Sequence, residues 1–172
     1  MARDGLDAQI EEIARTAAVG IGTVYRHFPN KDELVGALAA ERFERLRDLA
    51  LEALADDDPW RSFETFMRES ARIQTEDRAL SEVLVSRPET MIRAAQSVGM
   101  LELVDQILRR AQKAGVVRKD ADAGDVPMIM CALAGTFRNP HADSERYMGI
   151  VLDGLRAPGS KHTKLPPSTP RH

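Results

Sequence analysis

Residues 10–34 read IEEIARTAAVGIGTVYRHFPNKDEL, and this stretch decides the fold. Ile10, Ile13 and Ala14 stand at i, i+3 and i+4, one face of a short helix over residues 9–17. A tight Thr16-Ala17-Ala18-Val19 turn follows. A second short helix over residues 20–28 then carries Ile21, Val24 and Phe28 on an inward face, and Pro29 ends it. Asn30-Lys31-Asp32-Glu33 reads as a capping box, with Asn30 accepting from the Glu33 backbone while Glu33 reaches back. It opens a long helix to about residue 54, carrying Leu34, Leu38, Phe43, Leu46 and Leu49. Two short helices across a tight turn, then a capped long helix, form a helix-turn-helix.

In that arrangement the first helix braces against the nucleic-acid backbone and the second lies in the major groove. With Ile21, Val24 and Phe28 inward, Gly20, Gly22, Thr23, Tyr25, Arg26 and His27 face outward or flank the apolar face. The two glycines let the backbone approach DNA closely, and the helix dipole there favours phosphate. Thr23 suits a phosphate or a base, the Tyr25 ring a thymine methyl, and Arg26 guanine or phosphate. His27 and Lys31 are placed for phosphates. A plain solvated helix face is the alternative for Tyr25, Arg26 and His27.

The string from Ile10 to Leu34 resembles the DNA-binding region of the TetR family of bacterial transcriptional regulators. The specific part is Gly22-Thr23-Val24-Tyr25-Arg26-His27-Phe28 followed by Lys31. The resemblance implies a homodimer presenting one reader helix to each half of a palindromic operator. It also implies a C-terminal half that holds a small-molecule effector, whose binding shifts the reader spacing through the long helix and releases DNA. The helices over residues 124–137 and 143–155 would supply a four-helix dimer interface. Relative to the family pattern, the chain starts at Met1-Ala2-Arg3-Asp4-Gly5, so most of the first helix is expected to be absent. A second reading therefore stands beside the repressor: a dimeric ligand-binding or interaction module that no longer binds DNA. Ala18 stands where the family's turn carries Gly, and a positive φ there would cost about 1 kcal/mol.

The rest of the chain is helical by period. Asp58 suits an N-cap and Pro59 the first helical position, and the helix that follows carries Trp60, Phe63, Met67 and Ala71 on one face. A short helix is expected over residues 78–85, then one over residues 89–114 that Gly99 kinks or breaks and Gly115 caps. Strand-like alternation is confined to Val116-Val117, and Pro127 must lie in the first turn of the 124–137 helix. The last helix carries Tyr147, Ile150, Val151 and Leu155. Residues 157–172 are rich in proline and free of acid, a disordered basic tail. The expected organisation is all-α: a helix-turn-helix domain over residues 1–48, an effector-binding and dimerisation domain over residues 49–156, and the tail.

The 172 residues carry 24 Lys and Arg against 27 Asp and Glu, a net charge of −3, so any DNA contact is a local basic patch. Cys131 is the lone cysteine, which excludes an intrachain disulfide and fits a reducing cytoplasm. No apolar run reaches the ~18–20 residues of a membrane span. Trp60, Phe63, Met67, Met91, Met100 and Met128 are candidates to line the effector pocket, with ordinary core as the alternative. Arg42, Arg45 and Arg47 alternate with acids and read as a solvated face. His141 and Glu145, at i and i+4, fall short of a metal site, and no catalytic constellation or cofactor loop is present. The reading is a DNA-binding regulator and not an enzyme.

Overall fold

The computed structural model describes residues 11, 14–15, 18–28, 30–76, 80–81, 86–137 and 143–160, with only the backbone described at Lys31 and Phe137. Among these residues the chain forms seven helices and no strand: α1 (Ile21–His27), α2 (Lys31–Ala55), α3 (Pro59–Glu76), α4 (Pro88–Ser97), α5 (Met100–Lys113), α6 (Asp125–Phe137) and α7 (Ser144–Leu155). Backbone at residues 11, 14–15 and 80–81 is also helical, where the sequence places two further short helices. Ile10, Ile13, His141 and residues 161–172 of the expected tail lie outside the described residues.

Helix ends follow local chemistry. Asn30 caps α2 by accepting from the Glu33 amide at 2.9 Å. The reciprocal partner of the Glu33 carboxylate is the Asn30 side-chain amide, at 2.8 Å. Asp58 caps α3 by accepting from the amides of Trp60 at 2.9 Å and Arg61 at 3.1 Å. Asp143 does the same for α7, accepting from the Arg146 amide at 3.0 Å. The expected 89–114 helix is two helices. Gly99, at φ 63°, turns the chain between α4 and α5. After α5, Gly115 at φ 73° closes a Schellman cap: its amide donates to Gln112 at 3.0 Å and the Val116 amide to Ala111 at 3.1 Å. The strand-like Val116-Val117 makes one isolated antiparallel bridge, Val117 with Arg156. Ala157, at the start of the expected tail, donates to Val116 O at 3.1 Å.

The long helix α2 packs against α3, α4 and α5, while α3 also meets α5 and α6, and α6 meets α7. It passes without interruption through the domain boundary expected at residues 48/49. Its buried stripe is Val35, Ala39, Arg42, Leu46, Ala50 and Ala53. Leu46, Ala50 and Ala53 enter the large core with Phe63, Met67, Ile107, Leu108, Met130 and Leu152. Val35 and Ala39 instead join a separate small cluster with Leu80 and Ala94. Arg42 thus corrects its reading as a solvated arginine: it is buried because it shares the helical phase of Val35, Ala39 and Leu46. Arg45 and Arg47 are exposed as expected, paired with Glu76 and Glu44.

Candidate nucleic-acid interface

The turn that sets the reader helix is itself a helix cap. The Ala18 amide donates to Arg15 O at 3.1 Å and the Val19 amide to Ala14 O at 3.0 Å, the Schellman pattern with alanine in the position glycine usually takes. Ala18 has φ 55°, the left-handed conformation that L side chains resist. Ala14 is buried and anchors the turn from below.

From that turn α1 starts at Gly20, whose carbonyl accepts from the Thr23 and Val24 amides at 2.9 and 3.2 Å. No side chain caps its first amides, no acid lies in its first turn, and Arg26 and His27 lie in its last. Thr23, Tyr25, Arg26 and His27 are all exposed, and α1 buries none of its residues fully. Ile21 departs from the expected inward set, being 39% exposed, while Val24 and Phe28 are half-buried. It occupies the first helical position, at the rim of the apolar face. A Cβ added at Gly22 would meet nothing within 4 Å, and one at Gly20 only the Thr23 hydroxyl at 4.0 Å. Among the described residues, neither glycine is demanded by packing inside the chain.

The two acids that open α2 are already engaged. Asp32 pairs with Arg87, and Glu33 accepts from the Asn30 amide. Lys31, the remaining candidate contact, occupies the first turn of α2 directly after the reader.

The six candidate pocket residues do not share one wall. Phe63, Met67 and Met100 are buried together in the large core. Trp60 packs on its edge, donating to Glu64 at 2.7 Å beneath the Arg156 guanidinium, which lies 3.6 Å from the ring centroid. Met91 is half-buried on α4, outside both clusters. Met128 is 63% exposed, because Val126 and Met130 take the inner face of α6 and residue 128 falls between them on the outer one. An open cleft of about 350 Å³, solvent included, lies between α3 and α7 and is lined by Arg68, Ala71, Thr75 and Met148 among others. None of the six candidates borders it. Among the described residues no group of three or more His, Cys, Asp or Glu is arranged to hold a metal ion. No helix among them is long and apolar enough to cross a membrane.

An all-helical chain with an exposed reader helix after a tight turn, continued into a long helix, defines a helix-turn-helix regulator. Family comparisons agree. Residues 1–38 match the bacterial regulatory proteins of the tetR family. Residues 58–157 match the C-terminal domain of SbtR-like transcriptional regulators. A TetR transcription regulatory protein from Mycobacterium vanbaalenii is 35% identical, with 86% of this chain and 83% of that one covered and a TM-score of 0.57. The TetR transcriptional regulator SCO0520 from Streptomyces coelicolor is 27% identical, with 87% of each chain covered and a TM-score of 0.62. The TetR family regulator PfmR from Thermus thermophilus, at 20% identity and a TM-score of 0.61 over 84% of this chain and 85% of that one, shares the fold. A search of the curated proteins found no match. The chain belongs to the TetR family of bacterial transcriptional regulators, and is a regulator rather than an enzyme.

Proposed function

We propose that the protein is a homodimeric repressor that reads a palindromic operator and is released from it by a small-molecule effector. Gly20, Gly22, Thr23, Tyr25, Arg26, His27 and Lys31 are the DNA-contacting set. The observation that carries this reading is the outer face of α1, where Thr23, Tyr25, Arg26 and His27 are all exposed without an acid in the helix. Glycines whose missing Cβ atoms answer to no internal contact support a close approach of this backbone to DNA. Two subunits would place their readers about 34–36 Å apart, one helical turn of the duplex. The dimer would form through α6 and α7, whose Met128, Tyr147 and Ile150 are exposed. The effector would lodge against Phe63, Met67 and Met100, with Trp60 at the edge. Such a function belongs in the cytoplasm.

The test is selection of the purified 172-residue protein against a random duplex library at moderate salt. The expected result is an enriched palindrome, bound at least tenfold more weakly by Tyr25→Ala. A folded dimer that enriches no sequence would overturn the DNA-reading assignment and favour the ligand-binding module.

A further inference from the structure

One face of α2 carries Asp32, Val35, Ala39, Arg42, Leu46, Ala50 and Ala53, spaced by threes and fours. Arg42 interrupts its apolar run, and is the one buried charged side chain among the described residues, at 8% exposure. On the reader side of it lies the small Val35, Ala39, Leu80 and Ala94 cluster. On the other side Leu46 begins the large core. Phe43 packs against both.

The Arg42 guanidinium joins three segments. Its Nη2 donates to Ile73 O at 3.3 Å and to the Ser81 hydroxyl at 3.0 Å. The Ser81 hydroxyl donates onward to Gln74 O at 2.8 Å. Ile73 and Gln74 belong to the last four residues of α3, whose carbonyls lack intrahelical partners and carry the negative end of the helix dipole. No basic residue of α3 itself stands in that turn. A side chain from α2 therefore supplies the cation there.

We propose that Arg42 is a positioning residue for DNA reading, fixing the angle at which α2 presents the reader helix to the regulatory core. This rests on the DNA-binding function proposed above. The small cluster of Val, Leu and Ala side chains tolerates sliding, whereas directed hydrogen bonds from a planar guanidinium do not. The geometry gives Arg42 leverage. It stands eleven positions on from Lys31, about 16 Å along the helix. A tilt of about 6° at that point moves the reader by roughly 1.7 Å. Over two subunits that sums to about 3.4 Å, one base-pair step. Arg42 thereby sets the half-site spacing the dimer accepts.

The experiment compares the parent with Arg42→Met, Arg42→Lys and Ser81→Ala in the full chain. It reads affinity for the selected palindrome with its spacer lengthened or shortened by one base pair. It also reads the distance distribution between spin labels at position 26 of the two subunits, with Arg26→Cys in a Cys131→Ser background. In Arg42→Met we expect about tenfold weaker binding to the best palindrome, spacer discrimination collapsing to within about threefold, and a broader distance distribution. Arg42→Lys should restore part of each, and Ser81→Ala should shift both in the same direction by less. Folded, dimeric Arg42→Met with the parent's spacer ranking and distance distribution overturns the proposal. If Arg42→Met does not fold, parent-like behaviour of Ser81→Ala overturns it instead. A parent that selects no duplex refutes the DNA reading, while the label distances still decide the role of Arg42.

Discussion

Ala18 holds a backbone conformation that glycine adopts without penalty, at φ 55° within a Schellman cap. Ala18→Gly should therefore raise stability by about 1 kcal/mol, the cost of a left-handed alanine, less what glycine loses in chain entropy. A urea melt with no rise in midpoint would contradict it. Gly22 presents the opposite case. Its site is helical and open on all sides, so Gly22→Ala should stabilise α1 by up to about 1 kcal/mol. If the reader backbone lies against DNA, the same methyl group should weaken operator binding at least tenfold. A variant both more stable and equally tight in binding would remove Gly22 from the contact set. The two positions also mark what sequence can disclose. The strained turn was legible, because alanine stands where a left-handed cap needs glycine. The exposure of Ile21 was not, because period 3.6 assigns a face but does not say how far the first residue of a seven-residue helix is covered.

At the scale of elements, ends were legible and partners were not. Asn30, Asp58, Gly99 and Gly115 bound their helices as the sequence suggests, since a cap is made within four residues of itself, and Asp143, read from sequence as the first helical residue, is a cap of the same kind. Asp58→Ala should cost about 1 kcal/mol through loss of the α3 cap, read as a lower midpoint in thermal melts. The burial of Arg42 and the exposure of Met128 depend on which neighbour covers which face, and charge alternation or apolar character alone misassigned both. The α2–α3 connection carries a pH dependence. Asp56 is held at a pKa of about 2, below the ordinary 3.8, first by Arg61 and then by the Asp58 amide. The Arg61 guanidinium grips it with Nε at 2.6 Å and Nη2 at 2.7 Å. Depressed in the folded state, this carboxylate stabilises the fold fully above about pH 4, and its contribution disappears as pH falls toward 2. The Asp120 carboxylate, held by Arg118, behaves alike. Urea midpoints should fall between pH 4 and 2, less steeply in Asp56→Asn than in the parent. Identical slopes would mean that the grip of Arg61 adds nothing to stability.

The whole molecule is acidic overall, at −3, yet its reader face is not. DNA binding must then come from few cations acting twice. On the contact set proposed above, Arg26 and Lys31 would give two per subunit, so four released counterions give an expected log K against log salt slope of about −3.6. Doubling requires the proposed dimer, and on that proposal mutation should break it among the exposed apolar side chains of α6 and α7: Met128, at 63% exposure, with Tyr147 and Ile150 on the last helix. Met128→Asp leaves the monomer core untouched, because that position already faces solvent in the single chain. In an apolar interface it would bury one carboxylate per subunit, each costing several kcal/mol, and the two sum across the symmetry axis. Sedimentation should then give a folded monomer at micromolar concentration, with the salt slope halved to about −1.8 and the palindrome no better than its half-site. A dimer that survives Met128→Asp with the full slope would move the interface off this face of α6, while leaving the reader assignment intact.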